Sequence, residues 1–238
     1  MMRDAELSVA GQAVSLRSLV ADRLRRAIVT GHFLPGTQLR ERELCELTGV
    51  SRPSLREAFR ILEAEGLITT APHRGPVVTS LSVEEVGHLY AFRSVMEIYA
   101  AREFARRRLP EDIAALKAAV KRLDEVEETG SAFEVLEAGT QFYRAIAVGS
   151  GNPYLAQALG TLHNRIKLIR FMSLQGTGRA EGVAVLRALS KAIIAGDQKR
   201  TDEIFTKLLE RVGAQAKIIV EAGYSMPIDA ASTDTLSS

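Results

Sequence analysis

Leu16, Leu19, Val20, Leu24, Ala27 and Ile28 recur at helical spacing, and Gly31 followed by Pro35-Gly36 closes the segment in a turn. The pattern predicts a first helix. A shorter one is expected from Glu41 to Thr48, stopped by Gly49. Ser51 is expected to cap a third helix, with Pro53 in its first turn, where a missing N–H is harmless, and with Leu55, Ala58, Phe59 and Leu62 facing inward. After Gly66 the residues 67–70 and 76–79 read as two short strands around a tip at 71–75. Beyond Leu81 strand signals give way to helical periodicity, with helices expected at 83–108, 111–129, 132–149, 153–173, 180–196 and 198–222. The breaks between them are short, as antiparallel neighbours require. The expected fold is mainly α: a winged helix-turn-helix over 16–80, with three helices and a two-stranded wing, then an all-α antiparallel bundle of six helices over 81–223. Residues 1–15 and 224–238 are polar or weakly patterned and are expected to be a mobile arm and a mobile tail.

Composition narrows the function. The 238 residues are 46% hydrophobic and 25% charged, ordinary for a globular protein. No apolar run is long enough to span a membrane, and the start MMRDAELSV lacks the basic-then-apolar pattern of a secretion signal, so a cytoplasmic protein is expected. The single cysteine, Cys45, excludes an internal disulfide and reads as a small buried hydrophobe. A net charge of +2 does not by itself announce nucleic acid. The kind of cation is more telling: residues 1–80 hold eleven Arg, nine acids and no Lys, and the first Lys is Lys117. Arginine's planar fork grips phosphate or guanine with two hydrogen bonds, whereas an ammonium is a point charge.

A helix that enters the major groove needs polar, forked side chains near its N-terminus. Ser51, Arg52, Ser54 and Arg56 meet that need, and Arg52 and Arg56, four apart, share a face. Arg42 ahead of the turn is placed to hold backbone, and the His73-Arg74-Gly75 tip is narrow enough for a minor groove. Each Arg taken singly could equally be a solvated surface charge. Taken together, Gly31…Pro35-Gly36…Leu39-Arg40-Glu41…Leu44…Gly49-Val50-Ser51-Arg52…Arg56-Glu57-Ala58…Leu62…Glu65-Gly66-Leu67…Arg74-Gly75…Val78 resembles the N-terminal domain of GntR-type bacterial transcription regulators. The resemblance places Arg42, Ser51, Arg52 and Arg56 on DNA-contacting positions and His73 to Gly75 on the wing tip. Pro53 stands where a hydroxyl residue can occur. One wing and one short helix reach few base pairs, so a homodimer on near-palindromic double-stranded DNA is expected.

The stretch from Leu81 to about Gly223 resembles the helical FCD ligand-binding domain of the FadR subfamily, in its six-helix VanR-like branch. The resemblance rests on Leu89-Tyr90…Arg93…Met96-Glu97, Gln141-Phe142-Tyr143-Arg144-Ala145, Gly151-Asn152-Pro153-Tyr154-Leu155 and Ala192-Ile193-Ile194-Ala195-Gly196-Asp197. Many such domains hold a divalent metal with one Asp and three His. Alignment puts Gly139, Tyr143, Leu186 and Leu208 at those positions, and none is a ligand of the usual kind. No cofactor and no metal are therefore expected, and His88 and His163 read as surface or hydrogen-bonded histidines. Arg93 lies inside the apolar stripe Val86, Leu89, Tyr90, Met96, Ala100 and Phe104, with Glu97 one turn on. Two readings remain open. Either Arg93 and Glu97 form an internal pair that satisfies both charges, or Arg93 grips the carboxylate of an effector with Glu97 orienting it and Tyr143 lining the site, as the resemblance implies. Without a metal the cavity would be more apolar, favouring a larger aliphatic or aromatic acid. No phosphate loop, nucleophile elbow or metal cluster marks an enzyme. The expected function is a transcription regulator controlled by a small carboxylate effector. The alternative is an orphan DNA-binding dimer whose bundle is structural.

Overall fold

The computed structural model describes residues 16–71, 74–174 and 179–224. The expected arm at 1–15, His73 of the wing tip and the tail beyond 224 lie outside them. Three helices open the chain, α1 (Leu16–Val29), α2 (Glu41–Thr48) and α3 (Arg52–Ala64), followed by strands β1 (Ile68–Ala71) and β2 (Gly75–Val78). The strands pair antiparallel with Ile68 opposite Val78 and Ala71 opposite Gly75. Gly49 ends α2 at φ 69° and Gly75 turns the wing at φ 71°, a left-handed backbone that costs glycine nothing. Gln38 bridges to Val77, and its Nε2 donates to the carbonyl of Arg74, fastening the wing to the loop before α2. The core of this unit is Val20, Leu24, Ile28, Leu44, Leu55, Ala58, Leu62 and Ile68. Leu19, one of the apolar residues at helical spacing in α1, is 43% exposed, because the buried face runs through Val20, Ala21, Leu24 and Ile28 and leaves Leu19 at least about 100° away.

Seven helices follow among the described residues: α4 (Val83–Arg107), α5 (Pro110–Val126), α6 (Ala132–Gly149), α7 (Pro153–Arg165), α8 (Lys167–Ser173), α9 (Arg179–Ala195) and α10 (Gln198–Glu221). Their starts are chemically marked. Ser82 with Glu85 and Ser131 with Glu134 form reciprocal capping boxes, and Asn152 caps α7 ahead of Pro153. The expected count of six becomes seven because the helix anticipated over 153–173 breaks at Ile166, whose φ of −104° and ψ of 5° leave the helical region. No Gly or Pro stands there. The bend buries Ile166 completely, with Leu162 on one side and Leu168 and Ile169 on the other joining Tyr90, Ala216 and Ile219 in one apolar cluster. The second correction concerns the C-terminal boundary. Tyr224, assigned to the tail, is buried, and its hydroxyl accepts from the amide of Leu81 at 3.2 Å, closing the bundle against the interdomain junction. No helix among the described residues is long and apolar enough to cross a membrane.

Long helices α4 and α10 pack along each other, and α5 and α6 along each other, around Phe104, Leu116, Phe142, Leu189 and Phe205. The two units are not independent beads. Leu136 of α6 and Phe171 of α8 are buried within the core cluster of the winged unit, and Arg26 of α1 lies 4.8 Å from the ring of Phe133. Residues of α8 thus belong to both bodies.

Candidate effector cavity and DNA-binding face

The bundle holds a cavity of about 420 Å³ that opens to solvent past Glu181 and Arg211. Its apolar wall is Leu123, Val135, Val183, Leu186, Leu208 and Val212, contributed by α5, α6, α9 and α10. Into it project Arg93 of α4 and Arg170 of α8, both in contact with Tyr143 of α6: the two guanidinium carbons lie 5.2 and 4.9 Å from the centre of that ring. Cations over aromatic faces are attracted by the ring quadrupole, more so where water is excluded. All four positions that the resemblance assigns to metal ligands, Gly139, Tyr143, Leu186 and Leu208, line this same cavity.

Beneath the cavity is a buried charge cluster. Nε of Arg93 donates to Oε1 of Glu97 at 2.8 Å, and Nε2 of His163 meets the same oxygen, while Oε2 of Glu97 has no hydrogen-bond partner. Both carboxylate and guanidinium are 2% exposed. Burial pushes the Glu97 carboxyl up, but the charge of Arg93 and the His163 bond prevail and hold it at about 2. Burial lowers His163 below the ordinary histidine range, outweighing the pull of Glu97, so the ring is neutral at pH 7. Arg93 is held above the ordinary arginine value: burial opposes the charge, and Glu97 and the two tyrosines overcome it. The internal pair foreseen between Arg93 and Glu97 is therefore formed. Of the two histidines, His88 is exposed and His163 is the hydrogen-bonded kind.

Sequence reasoning missed Arg170. It sits in the run Leu168-Ile169-Arg170-Phe171-Met172, a cation between apolar neighbours, the same signal that picked out Arg93. Burial pulls its guanidinium below the ordinary arginine value, and the nearby charge of Arg93 acts in the same direction. Arginine nonetheless stays protonated at neutral pH.

On the winged unit the expected DNA contacts gather on the N-terminal half of α3. Arg52, Ser54 and Arg56 border one open depression, which Arg17 of α1 and Arg60 complete. Ser51 begins α3 as expected, yet its hydroxyl makes no cap bond; it lies 3.1 Å from the hydroxyl of Ser54. Arg56 is not free: Nε and Nη2 donate to the two oxygens of Glu41 at 2.8 and 3.1 Å, joining α3 to α2 and lowering the Glu41 carboxyl. Arg42, exposed on α2, lies 3.7 Å from Glu46. Arg74 is exposed at the wing turn beside Gly75.

Residues 16–78 match the bacterial regulatory proteins of the gntR family, and residues 88–211 match the FCD domain. The chain belongs to the GntR family. The uncharacterized HTH-type transcriptional regulator YdhC of Bacillus subtilis is 27% identical over 163 residues, covering 68% of this chain and 73% of that protein. The Nta operon transcriptional regulator of Aminobacter aminovorans is 32% identical over 147 residues, 62% of this chain and 70% of its own length. A solved GntR transcriptional regulator from Rhodococcus sp. RHA1 superposes with a TM-score of 0.70 at 26% identity, covering 84% of this chain and 96% of that one. The three-helix winged unit and the helical domain are thus the two parts of a GntR-type regulator with an FCD domain.

Proposed function

We propose that this regulator binds a near-palindromic duplex operator as a homodimer, and that a small organic acid held in the helical domain without a metal changes its operator affinity. The observation that carries the reading is the placement of α8, which supplies Arg170 to the cavity and Phe171 to the core of the winged unit. A ligand that pulls on one face of a seven-residue helix disturbs the packing of the other, and it shifts DNA affinity to the extent that it prefers one arrangement. A filled interior would have favoured the orphan reading; a cavity lined by arginines and apolar side chains favours an effector.

The metal-free reading rests on donor chemistry. Gly139, Leu186 and Leu208 offer no donor atom, and a phenol such as Tyr143 is a poor substitute for imidazole. The dimer reading is supported by Phe92, Val95 and Tyr99 of α4, exposed at helical spacing on one face. On the DNA face Arg52, Ser51, Ser54, Arg42 and Arg74 are available to phosphate or base edges, whereas Arg56 must share its fork with Glu41.

The test is retardation of a fragment taken from upstream of the protein's own gene, with and without a panel of organic acids. The wild-type dimer is expected to retard it, and Arg52→Ala to weaken retardation by about tenfold or more and reduce the salt slope by about one. Unchanged retardation by Arg52→Ala removes that residue from the interface. Retardation indifferent to every acid favours the orphan dimer.

A further inference from the structure

Four arginines line the cavity, Arg93, Arg170, Arg179 and Arg211, and three of them already have acceptors. Arg93 donates to Glu97 at 2.8 Å. Arg179 donates through Nη1 to the carbonyls of Gly130 and Glu127, at 2.8 and 3.5 Å. Arg211 is paired with Glu181. Arg170 differs. Among the described residues its guanidinium meets no carboxylate and no carbonyl, only the hydroxyl of Thr140 at 3.4 Å and the face of Tyr143. A guanidinium has five N–H donors, and those of Arg170, a half-buried residue, that meet no protein acceptor among the described residues face the cavity. An arginine so placed is a receptor for an acceptor that enters the cavity.

Space for it comes from Gly139, since a Cβ there would stand 3.1 Å from Nη2 of Arg170. Two positions where relatives by resemblance would hold a metal, Gly139 and Tyr143, are thus the ones in touch with this guanidinium. A fixed side-chain cation stands against them. Arg93 is a poor competitor for an anion, because any carboxylate reaching it also confronts Glu97, whose second oxygen lacks a hydrogen-bond partner.

We propose that Arg170 takes the charge of the effector, and that the effector is a monocarboxylate with an aliphatic or aromatic body. One guanidinium with no carboxylate among the described residues matches one carboxylate, in a fork geometry that suits two parallel hydrogen bonds. The body lies against Leu123, Val183, Leu186 and Leu208. Arg93 is then a positioning residue, fixed by Glu97, which His163 also holds, and in contact with the ring of Tyr143. This inference rests on the reading of the cavity as an effector site.

The experiment uses full-length protein and hexanoate, octanoate, benzoate and phenylacetate as probes, each beside its primary carboxamide, with adipate as the two-charge control. Thermal shift identifies binders and calorimetry measures them. At least one monocarboxylate is expected to bind wild type while its carboxamide does not. Arg170→Met should weaken that acid about ten- to hundredfold, the range of a charge-assisted hydrogen bond. The double variant Arg93→Met with Glu97→Met, which removes the positioning pair without leaving either charge alone, should weaken that acid several-fold less than Arg170→Met does. Without ligand, Arg170→Met is expected to melt no lower than wild type, because it loses a cation that no carboxylate among the described residues pairs with. If the double variant fails to fold by circular dichroism, Arg170→Lys takes its place, with partial recovery of binding expected and no recovery overturning the assignment. Binding that survives Arg170→Met, or that falls equally in the double variant, overturns Arg170 as the receptor and leaves the effector reading intact. Adipate binding as tightly as hexanoate overturns the single-charge assignment. If no acid binds wild type, the effector reading itself fails and this inference with it.

Discussion

Arg170 and Phe171 are consecutive on α8 yet serve different compartments: the guanidinium lines the cavity of the helical domain, and the ring is buried in the same cluster as Leu55, Leu62 and Leu67 of the winged unit. Successive helical residues point about 100° apart, so one short helix faces both ways. Leu174, just past its end, lines the cavity and packs against both cores. Coupling between the sites therefore needs no long chain of intermediates.

Phe171→Leu tests that coupling. Acid binding, measured by calorimetry, is expected to stay within about threefold of wild type, while the effect of the acid on operator retardation is expected to vanish. Phe171→Ala should also cost stability, about 3–5 kcal/mol for a fully buried phenylalanine. An acid response preserved in Phe171→Leu would send the coupling by another route.

The buried cluster makes stability depend on pH in one direction. The folded-state value of Glu97 is depressed to about 2, so its contribution is complete above the ordinary carboxylate value near 4.5 and is lost as pH falls toward 2. His163 is likewise lowered from about 6.5, so folding disfavours its protonation and stability declines as pH drops below that value. Urea unfolding at pH 7.5, 5.5 and 4 is expected to show a steady fall, and His163→Gln should flatten the step between 7.5 and 5.5. A step of the same size in that variant would assign the loss to another group.

Breaking the pair by halves is costly. Arg93→Met alone leaves Glu97 as a buried charge without its counterion, with an expected loss of about 3–5 kcal/mol, whereas removing both charges should cost far less. Denaturant midpoints of the two single variants and the double variant check this directly, and additive losses would contradict it.

Gly149 ends α6 against α4. A Cβ there would lie 2.4 Å from Cδ1 of Phe104, itself fully buried. Gly149→Ala is expected to destabilise by about 1–3 kcal/mol through overpacking, despite alanine's better helix propensity. A variant that melts at or above the wild-type temperature would mean that the two helices separate easily.

For the metal, prolonged treatment with a chelator is expected to leave both melting temperature and acid affinity unchanged, and elemental analysis to find no stoichiometric zinc, nickel or manganese. A chelator-dependent loss of acid binding would overturn the metal-free reading.

The sequence by itself determined the order of elements and the winged unit, because those depend on local rules. Apolar spacing sets the buried faces, Gly49 and Gly75 supply the left-handed turns, and arginines at the start of α3 point outward once Leu55, Ala58 and Leu62 point inward. It also marked Arg93, since a cation inside an apolar stripe is visible one turn at a time. What only the tertiary structure decided is which charges are already neutralised. Arg56 is held by Glu41, fifteen residues away, and His163 reaches Glu97 across sixty-six. Arg170 lines the cavity because the chain bends at Ile166, where no Gly or Pro announces a bend. A guanidinium looks the same in any sequence. Its role is set by the acceptors that distant segments bring to it, which for Arg170, among the described residues, come to the single hydroxyl of Thr140.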